Sequence, residues 1–157
     1  HIPLKKIHKG ISKKKIIHHV KSINNFYKSK LNIKPKIAIT GLNPHCESNF
    51  YDSEEEKIII PAIKYLKKQN YRVSGPYPAD TIFLKKNLIN FDVIIGMYHD
   101  QVLSPIKAIF GFDAINITLG LPFIRISPDH GPNEKMLGKN KSNPLSLFKA
   151  ISFMDKN

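Results

Sequence analysis

A chain of 157 residues with a formal net charge of +13 and one cysteine is long enough to bury a core without staples, and its lone thiol excludes an intramolecular disulfide framework. It has no apolar run near the length of a membrane span and no export-signal pattern, so a soluble cytoplasmic protein with no membrane partner is expected. The charge raises a nucleic-acid reading, but only Arg72 and Arg125 among the 25 basic residues are arginine, and isoleucine outnumbers leucine two to one. That pattern is a global residue bias with solvated lysines, and no nucleic-acid partner is expected.

In chain order, Ile16, Val20, Ile23 and Tyr27 recur at helical spacing, with Ser12 as N-cap and Ile11 as staple, which predicts a helix over 13–31. "KPKIAITGL" reads as a buried strand ending near Gly41. "SEEEKIIIPAIKYLKKQN" opens on Ser53 and Glu56 in capping-box spacing, acids first and lysines last, with Pro61 as a kink or a break. "YRVSG" is a strand, "TIFLKKNL" a short helix capped by Asp80, "FDVIIGMY" a strand, "QVLSPIKAI" a broken helix and "AINITLG" a strand. The last helix follows Asn143 and Pro144, a proline suited to a first helical turn.

Apolar strands alternating with crossover-length segments predict an α/β fold, a mostly parallel sheet with helices on both faces. Ligands on such sheets sit at the carboxyl ends of the strands. That edge gathers "HIPL", the loop over 41–52, "MYHDQ" and "TLGLPFIRISPDHG". No G-x-G-x-x-G occurs, so the usual dinucleotide fingerprint is missing.

His8, His18 and His19 belong to a lysine-rich amphipathic segment and read as surface residues. His1, His45, His99 and His130 each adjoin a predicted strand end in polar company. One such histidine reads as structural; several on one sheet edge point to a site. Imidazoles from separate strands suit zinc, cobalt or iron and leave positions open for substrate. Asp80 and Asp100 are carboxylates able to fix a ligand histidine's far nitrogen, though Asp80 also reads simply as a cap. Cys46 reads as a small thiol rather than a ligand or nucleophile. Lys107, Asn116 and Arg125 form a second polar group. Arg125, after an apolar run, would hold a carboxylate or phosphate in its fork, or else pair with Asp129.

The words "GLNPH", "GP-x-PADT-x-F", "D-x-x-x-x-MYHDQ" and "K-x(8)-N-x-TLGLPFIR-x-S-x-DHG" follow one another in the order and spacing of the 4-hydroxythreonine-4-phosphate dehydrogenase family of pyridoxal phosphate biosynthesis. The chain resembles that family's carboxyl-terminal half. The resemblance implies an architecture like the isocitrate and isopropylmalate dehydrogenases, which accounts for the missing fingerprint. It implies a divalent metal, zinc first with cobalt or magnesium as alternatives, held by His1, His45 and His99. It also implies NAD, with NADP as the alternative, at His130, Gly131 and Asn143. A phosphorylated substrate would lie on Lys107, Asn116 and Arg125, with Asp80 and Asp100 in catalytic support, in a site shared across a homodimer. Residues 1–131 would form the metal-binding, substrate-binding and dimerising domain, and 132–157 a segment packing on an amino-terminal half, without which the chain is expected to be impaired. The reaction implied is oxidation of 4-hydroxy-L-threonine 4-phosphate and decarboxylation to 3-amino-2-oxopropyl phosphate. The alternatives are a dehydrogenase of another phosphorylated hydroxy acid and a non-catalytic basic binding module.

Overall fold

The computed structural model describes residues 2–46, 52–131 and 134–155, and the chain gathers into two compact units, His1–Pro105 and Ile106–Asn157.

The first unit opens with a 3-10 turn, Leu4–Lys6, and a one-turn helix α1, Ile7–Gly10. Helix α2 then spans Lys13–Leu31, and Ser12 caps it by accepting from the Lys15 amide at 3.3 Å. It stops at Asn32, which takes a left-handed φ of 51°, a conformation that asparagine tolerates better than most side chains. Strand β1, Ile37–Thr40, is buried at every position.

A wide π turn, Glu55–Ile59, leads into α3, Ile60–Lys68. Ser53 caps the run, its Oγ accepting from the Glu56 amide at 3.3 Å. A change of winding stands where a kink or break was expected at Pro61, because proline cannot donate the amide that one uninterrupted α ladder requires. Strand β2, Val73–Tyr77, follows.

Two short helices, α4 at Ala79–Ile82 and α5 at Lys85–Leu88, replace the single helix expected there. Leu84 between them is extended, and the Asn87 side chain donates to the Thr81 carbonyl at 2.7 Å, satisfying an acceptor that a longer helix would have used. Asp80 is not the cap: Pro78 holds the N-cap position, and Asp80 sits inside the first turn of α4.

Strand β3 is short, Val93–Ile95, and helix α6 runs His99–Phe110 with Pro105 inside it. His99 and Asp100 therefore lie in the first turn of a helix, not at the end of a strand. Past the end of the strand, the Met97 amide donates to the Gln101 side chain at 2.7 Å rather than to a neighbouring strand.

The three strands pair in parallel in the order β2-β1-β3, with Ile37 beside both Val73 and Val93. One face of this sheet carries the core. Ile37, Ile39 and Val73 meet Ile16 and Val20 of α2 and Ile59, Ala62, Ile63 and Leu66 of the π turn and α3. Such burial is the main favourable term in folding. Thr40 is also fully buried, and it donates to Gln101 at the start of α6.

In the second unit, β4, Ile115–Thr118, and β5, Arg125–Pro128, pair antiparallel with Thr118 opposite Arg125. The second strand of this pair was not expected. Helix α7, Leu145–Asp155, packs on the pair. The helix begins directly after Asn143–Pro144, as expected, and Asn143 accepts from the Leu145 amide at 2.9 Å. Ser146, buried, donates to the Ala114 carbonyl and accepts from the Asp129 amide at 2.9 Å, which stitches α7 to both strand ends. Leu147, Phe148, Ile151 and Met154 remain exposed on α7. Among the described residues, no helix is long and apolar enough to cross a membrane.

Candidate active site

At the carboxyl end of β1 the chain turns through Pro44–Cys46, and both His45 and Cys46 take left-handed φ values, 59° and 57°. Two successive non-glycine residues in that region store strain, which persists only where the surroundings over-determine it. Here they do. Glu55, fully buried, accepts from the amides of Leu42 and Asn43 at 2.7 and 2.8 Å and from the Asn43 side chain at 2.8 Å. Gly41 leaves no slack, since a Cβ there would meet Cys46 Sγ at 2.7 Å and Glu55 Oε1 at 3.0 Å.

Burial alone would push the Glu55 carboxyl up. The hydrogen bonds from the Asn43 amide and side chain and from Leu42 outweigh it, and the net direction is below the usual glutamate range. A folded-state value below the unfolded one means that Glu55 stabilises the fold fully above the unfolded glutamate value. That contribution is lost as pH falls through the lower folded value. Glu55→Gln is therefore expected to flatten part of the acid limb of a stability-versus-pH curve measured by urea unfolding.

Cys46 is half-buried. Burial raises its thiol above the ordinary value, and the charges of Glu55 and Asp80 add to that, against one hydrogen bond at Gly41 that lowers it. At neutral pH it is a protonated thiol and a poor nucleophile. Asp80 thus reaches the neighbourhood of the His45 turn, against which α4 packs.

In the first turn of α6, His99 Nδ1 lies 2.7 Å from Asp100 Oδ1. A carboxylate there selects the Nδ1–H tautomer and puts the lone pair on Nε2, the arrangement that orients a metal-ligating imidazole. His99 and Asp100 line a cleft of about 280 Å³ with Tyr98 and Met97; the opposite wall is apolar, from Ile2, Leu4, Ile7 and Ile11. Ile2 and Leu4 thus share one cavity with "MYHD", distant in sequence. His1 itself lies outside the described residues. Among those described, no three His, Cys, Asp or Glu side chains gather as a metal-holding group. What the first unit does provide is an imidazole oriented by a carboxylate, beside a cleft that also receives the residue following His1. That donor chemistry fits a borderline-soft divalent ion.

In the second unit, Lys107 pairs with Asp129 Oδ2 at 2.6 Å, donates to the Asp129 carbonyl at 2.6 Å, and lies 4.6 Å from the centre of the Phe112 ring. The alternative pairing of Arg125 with Asp129 is not found. Arg125, exposed, instead donates from Nη1 to Thr118 Oγ1 at 2.9 Å across the strand pair. Asn116 lies on β4 opposite Ser127. His130 and Gly131 are exposed just beyond β5. Asn143 is engaged in capping α7.

Two residues with no role assigned from sequence prove central to the first unit. Glu55 was one of three acids read as dipole complements at a helix start, and nothing in its spacing marks it as the buried one. Gln101 closes "MYHDQ", and its position in that word was the only signal. It is 7% exposed, donates to the Gly41 carbonyl at 2.7 Å, and accepts from Thr40 Oγ1 at 2.8 Å and from the Met97 amide.

Residues 1–154 match the family model of the pyridoxal phosphate biosynthetic protein PdxA. The chain is 47% identical over 153 residues to the 4-hydroxythreonine-4-phosphate dehydrogenase of Sulfurihydrogenibium sp., covering 96% of this chain and 47% of that protein. It is 40% identical over 158 residues to the same enzyme of Bradyrhizobium diazoefficiens, covering 99% and 46%. A crystal structure of the Klebsiella pneumoniae 4-hydroxythreonine-4-phosphate dehydrogenase superposes with a TM-score of 0.83 at 32% identity, over 99% of this chain and 48% of that one. The chain spans about half the length of the curated relatives it matches.

Proposed function

Because the chain belongs to the PdxA family of pyridoxal phosphate biosynthetic proteins, we propose that it provides the metal-holding and phosphate-holding part of a dehydrogenase acting on 4-hydroxy-L-threonine 4-phosphate. The observation that carries this reading is the single cleft lined by both Ile2 and the His99–Asp100 pair.

In this reading His1, His45 and His99 hold the divalent ion, zinc first, in a site completed across a homodimer. The ion would supply Lewis-acid polarisation of the substrate hydroxyl, and NAD, held near His130, Gly131 and Asn143, would accept the hydride. Asp100 keeps the His99 ring oriented through Nδ1. Asp80, near the His45 turn, adds the negative charge that favours a bound cation. Arg125 and Lys107 take the anionic groups of the substrate and Asn116 a polar group between them, so that the reacting carbon is held in one place. Oxidation of the hydroxyl gives a β-keto acid, whose carboxylate leaves as carbon dioxide.

The test joins this chain with the unmatched half of the Sulfurihydrogenibium relative and measures metal content by mass spectrometry and NADH formation from 4-hydroxy-L-threonine 4-phosphate. The expected result is about one divalent ion per site and NADH formed in step with carbon dioxide. A metal-free, inactive assembly would overturn the proposal, as would one that only binds nucleic acid in a steeply salt-dependent way.

A further inference from the structure

From the contacts of two buried side chains, we infer that Glu55 and Gln101 are positioning residues that hold the His45 turn and the His99 helix start as one preorganised pair; this rests on the metal reading above.

The connection runs without a break through short bonds. Met97, two residues before His99, donates its amide to Gln101 Oε1 at 2.7 Å. Gln101 Nε2 donates to the Gly41 carbonyl at 2.7 Å. The next two amides, Leu42 and Asn43, both donate to Glu55 Oε1, and Asn43 Nδ2 donates to Glu55 Oε2 at 2.8 Å. Asn43 then accepts from the Cys46 amide through its carbonyl at 3.1 Å, closing the strained turn that carries His45.

The two side-chain types are also the ones the site demands. At position 101 one group must accept from Thr40 and Met97 and donate to Gly41, and only an amide does both at the tip of a side chain of this length. At position 55 three donors converge on two oxygens and nothing donates back, which suits an ionised carboxylate. Both groups are buried, so water cannot replace a missing partner without rearrangement.

A merely structural role and a positioning role make different predictions. Preorganised ligands cost less to order around an ion, and outer-shell partners of ligating histidines are typically worth roughly 10-fold to 100-fold in metal affinity. The experiment measures the zinc dissociation constant of the joined assembly described above by competition with a chromophoric chelator, and the visible spectrum of its cobalt(II) form. Measurements are made well below the unfolding midpoint, on Glu55→Gln, Gln101→Glu and the milder Asn43→Ala, with His45→Ala and His99→Ala alongside. Glu55→Gln sets an amide nitrogen against Asn43 Nδ2. Gln101→Glu sets an oxygen against the Gly41 carbonyl.

The expected result is zinc affinity roughly 10-fold to 100-fold weaker in folded Glu55→Gln and Gln101→Glu, shifted cobalt bands, and a smaller loss in the same direction for Asn43→Ala. Should the two larger variants fail to fold, Asn43→Ala alone carries the test. Variants that fold and lose thermal stability but keep native zinc affinity and an unchanged cobalt spectrum would overturn the inference alone. An unaltered assembly that takes up no zinc, or histidine variants that bind it as tightly as the unaltered assembly, would bring down the metal reading and this inference with it.

Discussion

Replacing His99 with alanine is expected to cut zinc affinity at least about a hundredfold, the largest single effect in the first unit. Zinc held by a full set of protein ligands is bound by roughly 10 to 16 kcal/mol, so one imidazole of three is worth about 3 kcal/mol or more. The neighbouring carboxylate separates ligation from general damage. Asp100 holds His99 Nδ1 at 2.7 Å and is otherwise largely exposed. Asp100→Ala should therefore leave folding intact and cost roughly 10-fold to 100-fold in affinity, while Asp100→Asn, which keeps an acceptor, should recover most of it. Isothermal titration of the joined assembly with zinc reads all three. If His99→Ala binds as tightly as the unaltered assembly, the ion sits elsewhere or nowhere.

Under the proposed function, Arg125→Ala is expected to weaken binding of the phosphorylated substrate by more than about a hundredfold, from loss of about 3 kcal/mol of charge-assisted hydrogen bonding. Arg125 is singled out over Lys107 because of their partners. Lys107 is already neutralised by Asp129, whose side chain is 17% exposed, so an incoming anion must compete for that ammonium. Arg125 meets a neutral hydroxyl, Thr118 Oγ1, and keeps its full charge at an exposed position. Lys107→Ala should thus cost less in affinity than Arg125→Ala and more in stability, because it strands the Asp129 carboxylate. Arg125→Lys should recover only part of the loss, since an ammonium cannot present two parallel donors. Equal losses for the Lys107 and Arg125 variants, read as dissociation constants, would refute this ranking.

Helix α2 matched its expected span because period, cap and staple all lay within one local stretch, where sequence spacing is also spatial spacing. The parallel strands were legible for a similar reason, since continuous apolar runs report burial on both faces. Where reading went astray, a distant partner intervened. Asp80 looked like a cap until Pro78 took that position, and the pairing with Asp129, one of two readings left open for Arg125, went to Lys107 instead. The 125–128 segment became a strand only because β4 lay opposite it.

The amino-acid order alone was enough to establish the α/β class and the family and to single out the candidate site residues, because these reside in local periodicity and in words of adjacent residues. The chain folded in space was needed to reveal which of three consecutive acids lies buried under the His45 turn, and that the glutamine ending "MYHDQ" ties Gly41 to Met97. Those facts depend on hydrogen bonds made across turns and between elements, 12 and 13 residues apart at Glu55 and 60 and 61 at Gln101, and no period or spacing along a chain encodes which distant donor a buried acceptor will meet.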